Sequence, residues 1–115
     1  MPNQISRQDL LAGLLGPSRP VLVEALPAKY YDHAHLPGAI NINHDEVEQL
    51  AAQLLPKKDA PIVVYCASAT CKNSHWAAEK LVSLGYRSVA VYVEGKQDWI
   101  EAGLPIQKTL DSKVA

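Results

Sequence analysis

The sequence predicts an α/β fold in which a central, mostly parallel sheet is covered by helices on both faces. Short apolar runs rich in β-branched residues, at 21–23, 62–65 and 89–93, are typical of strands that are buried on both sides. Segments with apolar residues at helical spacing separate these runs, and such alternation is the pattern of parallel-sheet proteins. In sheets of this kind, ligands bind beyond the carboxyl ends of the strands.

The predicted elements follow one another with recognisable ends. Ser6 is the predicted N-cap of the first helix, and Gly16 followed by Pro17 ends that helix. Gly85 is expected just after the helix at 74–84. The other predicted elements are strands at 21–23, 39–42, 62–65 (the central strand) and 89–93, and helical segments at 28–32, 45–55 and 96–102.

Length and composition fit one globular domain. The 115 residues are predicted to form a single domain over 6–107, followed by a polar tail at 108–115. A formal net charge of −1 argues against nucleic-acid partners, and no apolar run is long enough to cross a membrane. Because neither a signal-peptide pattern nor a disulfide-scaffold pattern is present, we expect a reducing, cytoplasmic location.

Both cysteines of the chain lie in one loop, which carries the strongest functional signal. Cys66 directly follows the apolar run 62–65, and small and polar residues then lead to a helix predicted to begin at Ser74. A thiol that faces a helix N-terminus lies among N–H donors and a positive dipole, which favours the nucleophilic thiolate. The sequence therefore predicts a cysteine-based active site, with an inert buried cysteine as the alternative.

The candidate site consists of this loop, with Cys66 and Cys71 as its candidate catalytic residues. Lys72 lies six residues after Cys66, where phosphatase loops carry Arg, but an ammonium group cannot clamp phosphate as a guanidinium does. Lys72 could instead lower the pKa of the thiol and attract a small anion, or be a solvated surface residue. The spacing of the cysteines does not fit a zinc site. The candidate substrate-binding residues are Ala67, Ser68, Ala69, Thr70, Lys72, Asn73, Ser74 and His75.

Four other conspicuous side chains are expected to be structural. A turn histidine between apolar elements, here His35, satisfies backbone groups more often than it takes part in chemistry. Asn41 lies in the same segment and is interpreted in the same way. Trp76 and Trp99 are expected to pack in the core and in a lid.

Four segments, in this order, resemble the rhodanese-like domain. They are residues 21–24, the strand, loop and helix at 62–86, and two segments that are similar to family patterns. Residues 31–42 match Y-x-x-x-H-[IL]-P-G-A-x-N-[IL], and residues 91–105 are similar to the ending G-G-x-x-x-W-x-x-x-G-x-P. The resemblance covers residues 6–106 and implies an α/β fold with a central parallel sheet. In active members a loop cysteine carries sulfane sulfur as a persulfide, and the resemblance maps that cysteine onto Cys66.

The chain departs from the family pattern at four places. Cys71 stands where the loop usually has Arg, and Ser74 takes the Ser/Thr position at the helix start, which makes the loop about two residues longer. Glu24 replaces the commoner Asp and no Arg follows it closely, and Glu94 replaces the first Gly of the Gly-Gly pair. The double-cysteine loop is similar to a rhodanese-like subgroup with Cys-x4-Cys.

The resemblance implies a sulfurtransferase that needs no cofactor. The donor would be a small sulfur-bearing anion such as thiosulfate, or a persulfidated protein, and the acceptor a thiol or cyanide. Cys71 could be a loop filler, a resolving thiol or the true sulfur acceptor. The alternatives are a non-catalytic or regulatory rhodanese-like module, as the missing loop Arg suggests, and a thiol redox protein that uses Cys66 and Cys71. A cysteine-based phosphatase or arsenate reductase has the least support.

Overall fold

The computed structural model describes residues 2–109, and its five strands form one sheet in which every neighbouring pair is parallel. The order across the sheet is β1-β5-β4-β2-β3. The predicted parallel sheet with 62–65 as its central strand is therefore confirmed. The strands are β1 (Asn3–Ile5), β2 (Val21–Glu24), β3 (Ile40–Asn41), β4 (Ile62–Tyr65) and β5 (Val89–Tyr92).

Helices cover both faces of this sheet, as the sequence predicted. Successive side chains of a strand point to opposite faces, so the core divides into two clusters. On β4, Val64 points into a cluster built with α3 and α4, while Val63 points into a cluster with Leu10 of α1 and Trp99 of α5. The helices are α1 (Arg7–Leu15), α2 (Ala28–His33), α3 (Val47–Leu54), α4 (Asn73–Ser83) and α5 (Gly95–Glu101).

One strand was not predicted. β1 pairs in parallel with β5 at the edge of the sheet and precedes residue 6, the predicted start of the domain. Its three residues, Asn-Gln-Ile, include one apolar side chain, and the first two are exposed. An edge strand of this composition has no alternating or continuous apolar pattern, so the sequence signal for a strand is absent.

The ends of several elements also differ from prediction. The strand predicted at 39–42 is paired only at Ile40–Asn41, and α4 begins at Asn73 rather than Ser74. Ser6 caps α1 as predicted, since its hydroxyl accepts a hydrogen bond of 3.1 Å from the Asp9 backbone N–H. Residues 110–115 of the predicted polar tail lie outside the described residues. Over residues 2–109 no helix is both long enough and apolar enough to span a membrane.

Candidate active site

Cys66 occupies the carboxyl end of the central strand. It follows Tyr65, the last residue of β4, and its exposed fraction is 1%. Residues 67–72 then form a loop that returns to the N-terminus of α4. The thiol is therefore held at the middle of the sheet edge where ligands bind in parallel α/β folds.

The Cys66 thiol has two polar contacts, both with residues at the other end of its loop, next to α4. Its Sγ donates to the carbonyl oxygen of Cys71 and to Oγ of Ser74, each at 3.3 Å. Ser74 is buried and lies in the first turn of α4, whose N-cap position is Lys72. The helix predicted to begin at Ser74 begins one residue earlier, and the Ser74 hydroxyl bonds to the sulfur.

The environment of Cys66 favours the thiol over the thiolate, contrary to the sequence-based expectation. The pKa of Cys66 is raised to about 11, mainly by burial and secondly by interaction with the Cys71 side chain. The Ser74 backbone N–H lowers this pKa, as predicted for a helix N-terminus, and the Ser74 hydroxyl lowers it too, but together they do not offset the burial. The sequence predicted the N–H donor but not the hydroxyl or the burial of the sulfur atom.

The remaining predicted loop residues divide by exposure. Ala67, Ala69, Thr70 and Lys72 are exposed, whereas Ser68, Cys71, Asn73 and His75 are half-buried. The loop is folded on itself, since the Cys71 N–H donates to the Ser68 carbonyl oxygen at 3.1 Å. The hydroxyls of Ser68 and Thr70 are also 3.1 Å apart. Both cysteines are free thiols.

The N-terminus of α5 holds the other side of the loop. The backbone N–H groups of Lys96 and Gln97 donate to the carbonyl oxygens of Cys66 and Ala67, each at 2.8 Å. Gly95 has a φ of 72°, and a Cβ on it would lie 2.6 Å from the Cys66 carbonyl oxygen. Glycine is therefore required at position 95, because both its backbone conformation and this close approach exclude a side chain.

A buried polar network that was not predicted from the sequence lies beneath the loop. Lys96 Nζ donates to Glu24 Oε2 at 2.9 Å and to the backbone carbonyl oxygens of Tyr30 at 3.0 Å and Ala34 at 2.5 Å. Glu24 Oε1 accepts from the Tyr65 hydroxyl at 2.8 Å. Burial raises the pKa of the Glu24 carboxyl, while the ion pair with Lys96 opposes that rise. A buried acid at a strand end was the available signal, but its partner is 72 positions away along the chain.

The residues interpreted as structural are consistent with that role, although Trp76 is not in the core. His35 Nδ1 is 2.8 Å from the Tyr31 carbonyl oxygen, and Asn41 donates to the carbonyl oxygens of Glu24 and Leu26. Trp99 is buried, but Trp76 is 53% exposed, so it is not a core residue. Among the described residues, no group of three His, Cys, Asp or Glu side chains could hold a metal ion.

Comparison with known proteins identifies a family and related sulfur-transfer proteins. The profile of the rhodanese-like domain matches residues 7–102. An HTH-type transcriptional regulator of Mycobacterium tuberculosis is 36% identical over 87 residues, which are 76% of this chain and 37% of the regulator. An adenylyltransferase and sulfurtransferase of Candida albicans is 29% identical over 102 residues, covering 84% of this chain and 23% of that protein. The chain thus spans well under half the length of these curated relatives.

Solved structures show the same fold. The crystal structure of a thiosulfate sulfurtransferase from Pseudomonas aeruginosa has a TM-score of 0.81 and 26% identity, covering 92% of this chain and 20% of that one. A structure of a rhodanese with anions from E. coli has a TM-score of 0.65 and 29% identity, covering 77% of this chain and 98% of that one.

Proposed function

This chain belongs to the rhodanese-like domain family, and from that premise we propose that it is a sulfurtransferase that carries sulfane sulfur on Cys66. The observation that carries the proposal is the position of this thiol, which ends the central strand and is hydrogen-bonded to Ser74 at the start of α4. The sulfurtransferases among its relatives support the reaction class.

The first step loads the sulfur. The Cys66 thiolate attacks the outer sulfur of thiosulfate, the bond between the two sulfur atoms of thiosulfate breaks, and sulfite leaves with that electron pair. The product is a Cys66 persulfide anion. Because the resting thiol is buried and its pKa is raised, its proton must leave as the loop opens to the donor. The Ser74 hydroxyl and backbone N–H then stabilise the thiolate.

The second step returns the enzyme to its starting state. A thiolate or cyanide attacks the outer sulfur of the Cys66 persulfide, and the electron pair of the broken S–S bond returns to Cys66. Sulfur is carried on the protein throughout, so no cofactor is required. In place of thiosulfate, a persulfidated protein could supply the sulfur by the same exchange.

A thiol redox function is the second candidate, because the Cys66 thiol donates to the Cys71 carbonyl oxygen and the Cys71 side chain raises the pKa of Cys66. Cys71 could attack the inner sulfur of the persulfide, which would release hydrosulfide and leave a Cys66–Cys71 disulfide. Such a step would make Cys71 a resolving thiol. It requires the two sulfur atoms to come within bonding distance as the loop moves.

Intact-mass measurement after incubation with thiosulfate tests both candidates. We expect the wild type to gain one sulfur atom, Cys66→Ser to gain none and Cys71→Ser to gain one that persists longer. Sulfur on Cys66→Ser but not on Cys71→Ser would show that Cys71 is the carrier. Absence of a persulfide on either cysteine, with thiosulfate and with a persulfidated peptide as donors, would favour a non-catalytic binding module.

A further inference from the structure

A groove adjoins the thiol loop, which is Cys66 with residues 67–72, on the side of α2 and α5. Its volume is about 360 Å³, and Ala67, the residue directly after Cys66, forms part of its wall. Tyr30 of α2 and Ile100 of α5 line it and are 48% and 45% exposed. Large apolar side chains left half-exposed around a concave surface of this size are typical of a small-molecule site.

The one lysine in the groove lining does not provide a free positive charge for a ligand. Among the described residues of its lining, Lys96 is the only lysine and there is no arginine. The three N–H donors of an ammonium group match three acceptors here, namely one Glu24 oxygen and two backbone carbonyl oxygens. The charge of Lys96 is thus neutralised by Glu24 and its donors are used. Lys29 lies outside the lining, with Nζ 5.1 Å from the centroid of the Tyr30 ring.

Carboxylates lie on the other side of the groove. Glu101 lines the groove and also a second hollow of about 190 Å³, which contacts the thiol loop at Ala69 and includes Glu94 and Asp98. Arg7 pairs with Asp98 at 2.9 Å, so the charge of Asp98 is compensated. The carboxylates of Glu94 and Glu101 remain to repel an anionic ligand. An acceptor with an apolar body should therefore bind in this groove with higher affinity than an acceptor with an anionic body.

We propose that this groove binds the apolar body of an uncharged thiol, the sulfur acceptor of this chain. The inference rests on the proposed function. The acceptor is bound by its aliphatic or aromatic part between Tyr30 and Ile100. Because Cys66 Sγ faces Ser74 of α4 in the closed loop, the acceptor sulfur reaches the persulfide past Ala67 as the loop opens. Its thiolate forms a bond to the outer sulfur, the bond from that sulfur to Cys66 breaks, and the Cys66 thiolate is released. The acceptor leaves as its persulfide.

Single-turnover kinetics with the preloaded Cys66 persulfide test the groove as an acceptor site. The loss of the bound sulfur is followed by intact mass with 2-phenylethanethiol, with the same thiol carrying a 4-carboxylate, with 2-mercaptoethanol and with cyanide. Rates are compared at equal thiolate concentration. We expect 2-phenylethanethiol to react at least about tenfold faster than 2-mercaptoethanol, and the carboxylated thiol to react more slowly than its parent.

Two variants test whether the preference for 2-phenylethanethiol depends on the apolar wall of the groove. Ile100→Ser removes the apolar wall and should abolish the advantage of 2-phenylethanethiol, whereas Val82→Ser, a matched change at a 37% exposed residue of α4, should retain it. Cyanide needs no apolar body, so its rate should be the same in both. Equal rates for the neutral thiols, or a preference that survives in Ile100→Ser, would overturn the proposal. A faster carboxylated thiol would overturn its charge preference.

Binding of 2-phenylethanol separates this proposal from the proposed function. The alcohol has the same body but cannot accept sulfur, and we expect it to shift the NMR signal of the Ile100 methyl groups saturably. If it binds and no persulfide ever forms, the sulfurtransferase assignment fails and the groove remains a binding site. If sulfur reaches cyanide but the alcohol leaves Ile100 unchanged, the groove proposal fails and the sulfurtransferase assignment remains.

Discussion

Cys66 combines the position proposed for a nucleophile with the environment of a buried thiol. Its hydrogen bonds to the Cys71 carbonyl oxygen and to Ser74 close the loop over the sulfur. The carbonyl oxygen can accept only from the protonated thiol, whereas the Ser74 hydroxyl can also donate to the thiolate. Deprotonation should therefore break one contact and keep the other, which would release the loop at Cys71 while Ser74 holds the sulfur.

The order in which the two thiols react with iodoacetamide follows from their burial. We expect Cys71, which is half-buried, to be alkylated before the buried Cys66 at pH 7–8. The rate at Cys66 should rise about tenfold per pH unit and level off only near its pKa of about 11. Peptide mass spectrometry over time measures both rates. A Cys66 rate that is already maximal at pH 8 would mean that the loop is open in solution.

Replacement of Ser74 tests its role in stabilising the thiolate. Its hydroxyl lowers the pKa of Cys66, so in Ser74→Ala that pKa should rise and persulfide formation should slow. A loss of about 0.5–1.5 kcal/mol, which corresponds to a roughly twofold to thirteenfold change in rate, is expected for one hydrogen bond. The rate of sulfite release from thiosulfate measures it. Ser83→Ala is the matched control, because the Ser83 hydroxyl bonds only to the backbone of the same helix.

At the scale of elements, the thiol loop is held between two helix N-termini. α4 supplies Ser74 to the sulfur, and the first residues of α5 donate to the carbonyl oxygens of Cys66 and Ala67. Gly95 makes the second contact possible, since its backbone approaches the loop more closely than any side chain would allow. The position of the loop is therefore set by α5 as much as by its own sequence.

Gly95→Ala should displace the loop. The new Cβ would lie 2.6 Å from the Cys66 carbonyl oxygen, and a φ of 72° is unfavourable for alanine. We expect a loss of about 1–3 kcal/mol from backbone strain and an additional penalty from the contact. Urea unfolding gives the stability, and iodoacetamide alkylation of Cys66 reports the loop, which should become more accessible.

Gly103→Ala is the control for this variant. Gly103 has a similar φ of 76°, but nothing lies within 4 Å of the position of its Cβ. It should therefore show the backbone cost without a change in the reactivity of Cys66. An equal loss of stability in the two variants, with Cys66 unchanged in both, would mean that the contact with the loop relaxes freely.

Prediction from sequence succeeded where local pattern and burial agree. β2, β4 and β5 are short, apolar and buried, and a sequence of this kind has few other ways to bury such runs. β1 was missed because its pairing with β5, rather than its composition, makes it a strand.

The site likewise has one feature that local sequence determines and one that depends on tertiary contacts. The position of Cys66 after β4 was predictable, but its raised pKa depends on how the loop folds back over the sulfur.

At the scale of the whole molecule, the ion pair between Glu24 and Lys96 joins distant parts of the chain beneath the site. It connects the start of α5 with the end of β2 and with the backbone carbonyl oxygens of Tyr30 and Ala34. Tyr65 adds the end of β4, since its hydroxyl donates to Glu24 and accepts from the Leu36 N–H. These contacts are long-range, so no local segment of the sequence specifies them.

Removing one partner of this pair should be costly, and the cost should depend on pH. In Lys96→Met the Glu24 carboxylate stays buried without its counter-ion, which should cost about 3–5 kcal/mol near neutral pH. The double variant Glu24→Gln with Lys96→Met removes both charges and should cost less than Lys96→Met alone. Lys80→Met, which removes the exposed pair with Glu48 at 3.8 Å, should cost less than about 1 kcal/mol. Urea unfolding measures all three.

The sign of the pH dependence follows from the Glu24 carboxyl. Its folded pKa is raised by burial, so its contribution to stability is present below its unfolded pKa and is lost as the pH rises through the folded pKa. Lys96 lowers the pKa of Glu24, so Lys96→Met should raise it further. The variant should then lie nearest to wild-type stability at acid pH, below the unfolded pKa of the carboxyl, and should lose stability relative to the wild type as the pH rises. A cost that does not change with pH would show that Glu24 stays ionised without Lys96, and that water reaches the carboxylate beneath the loop.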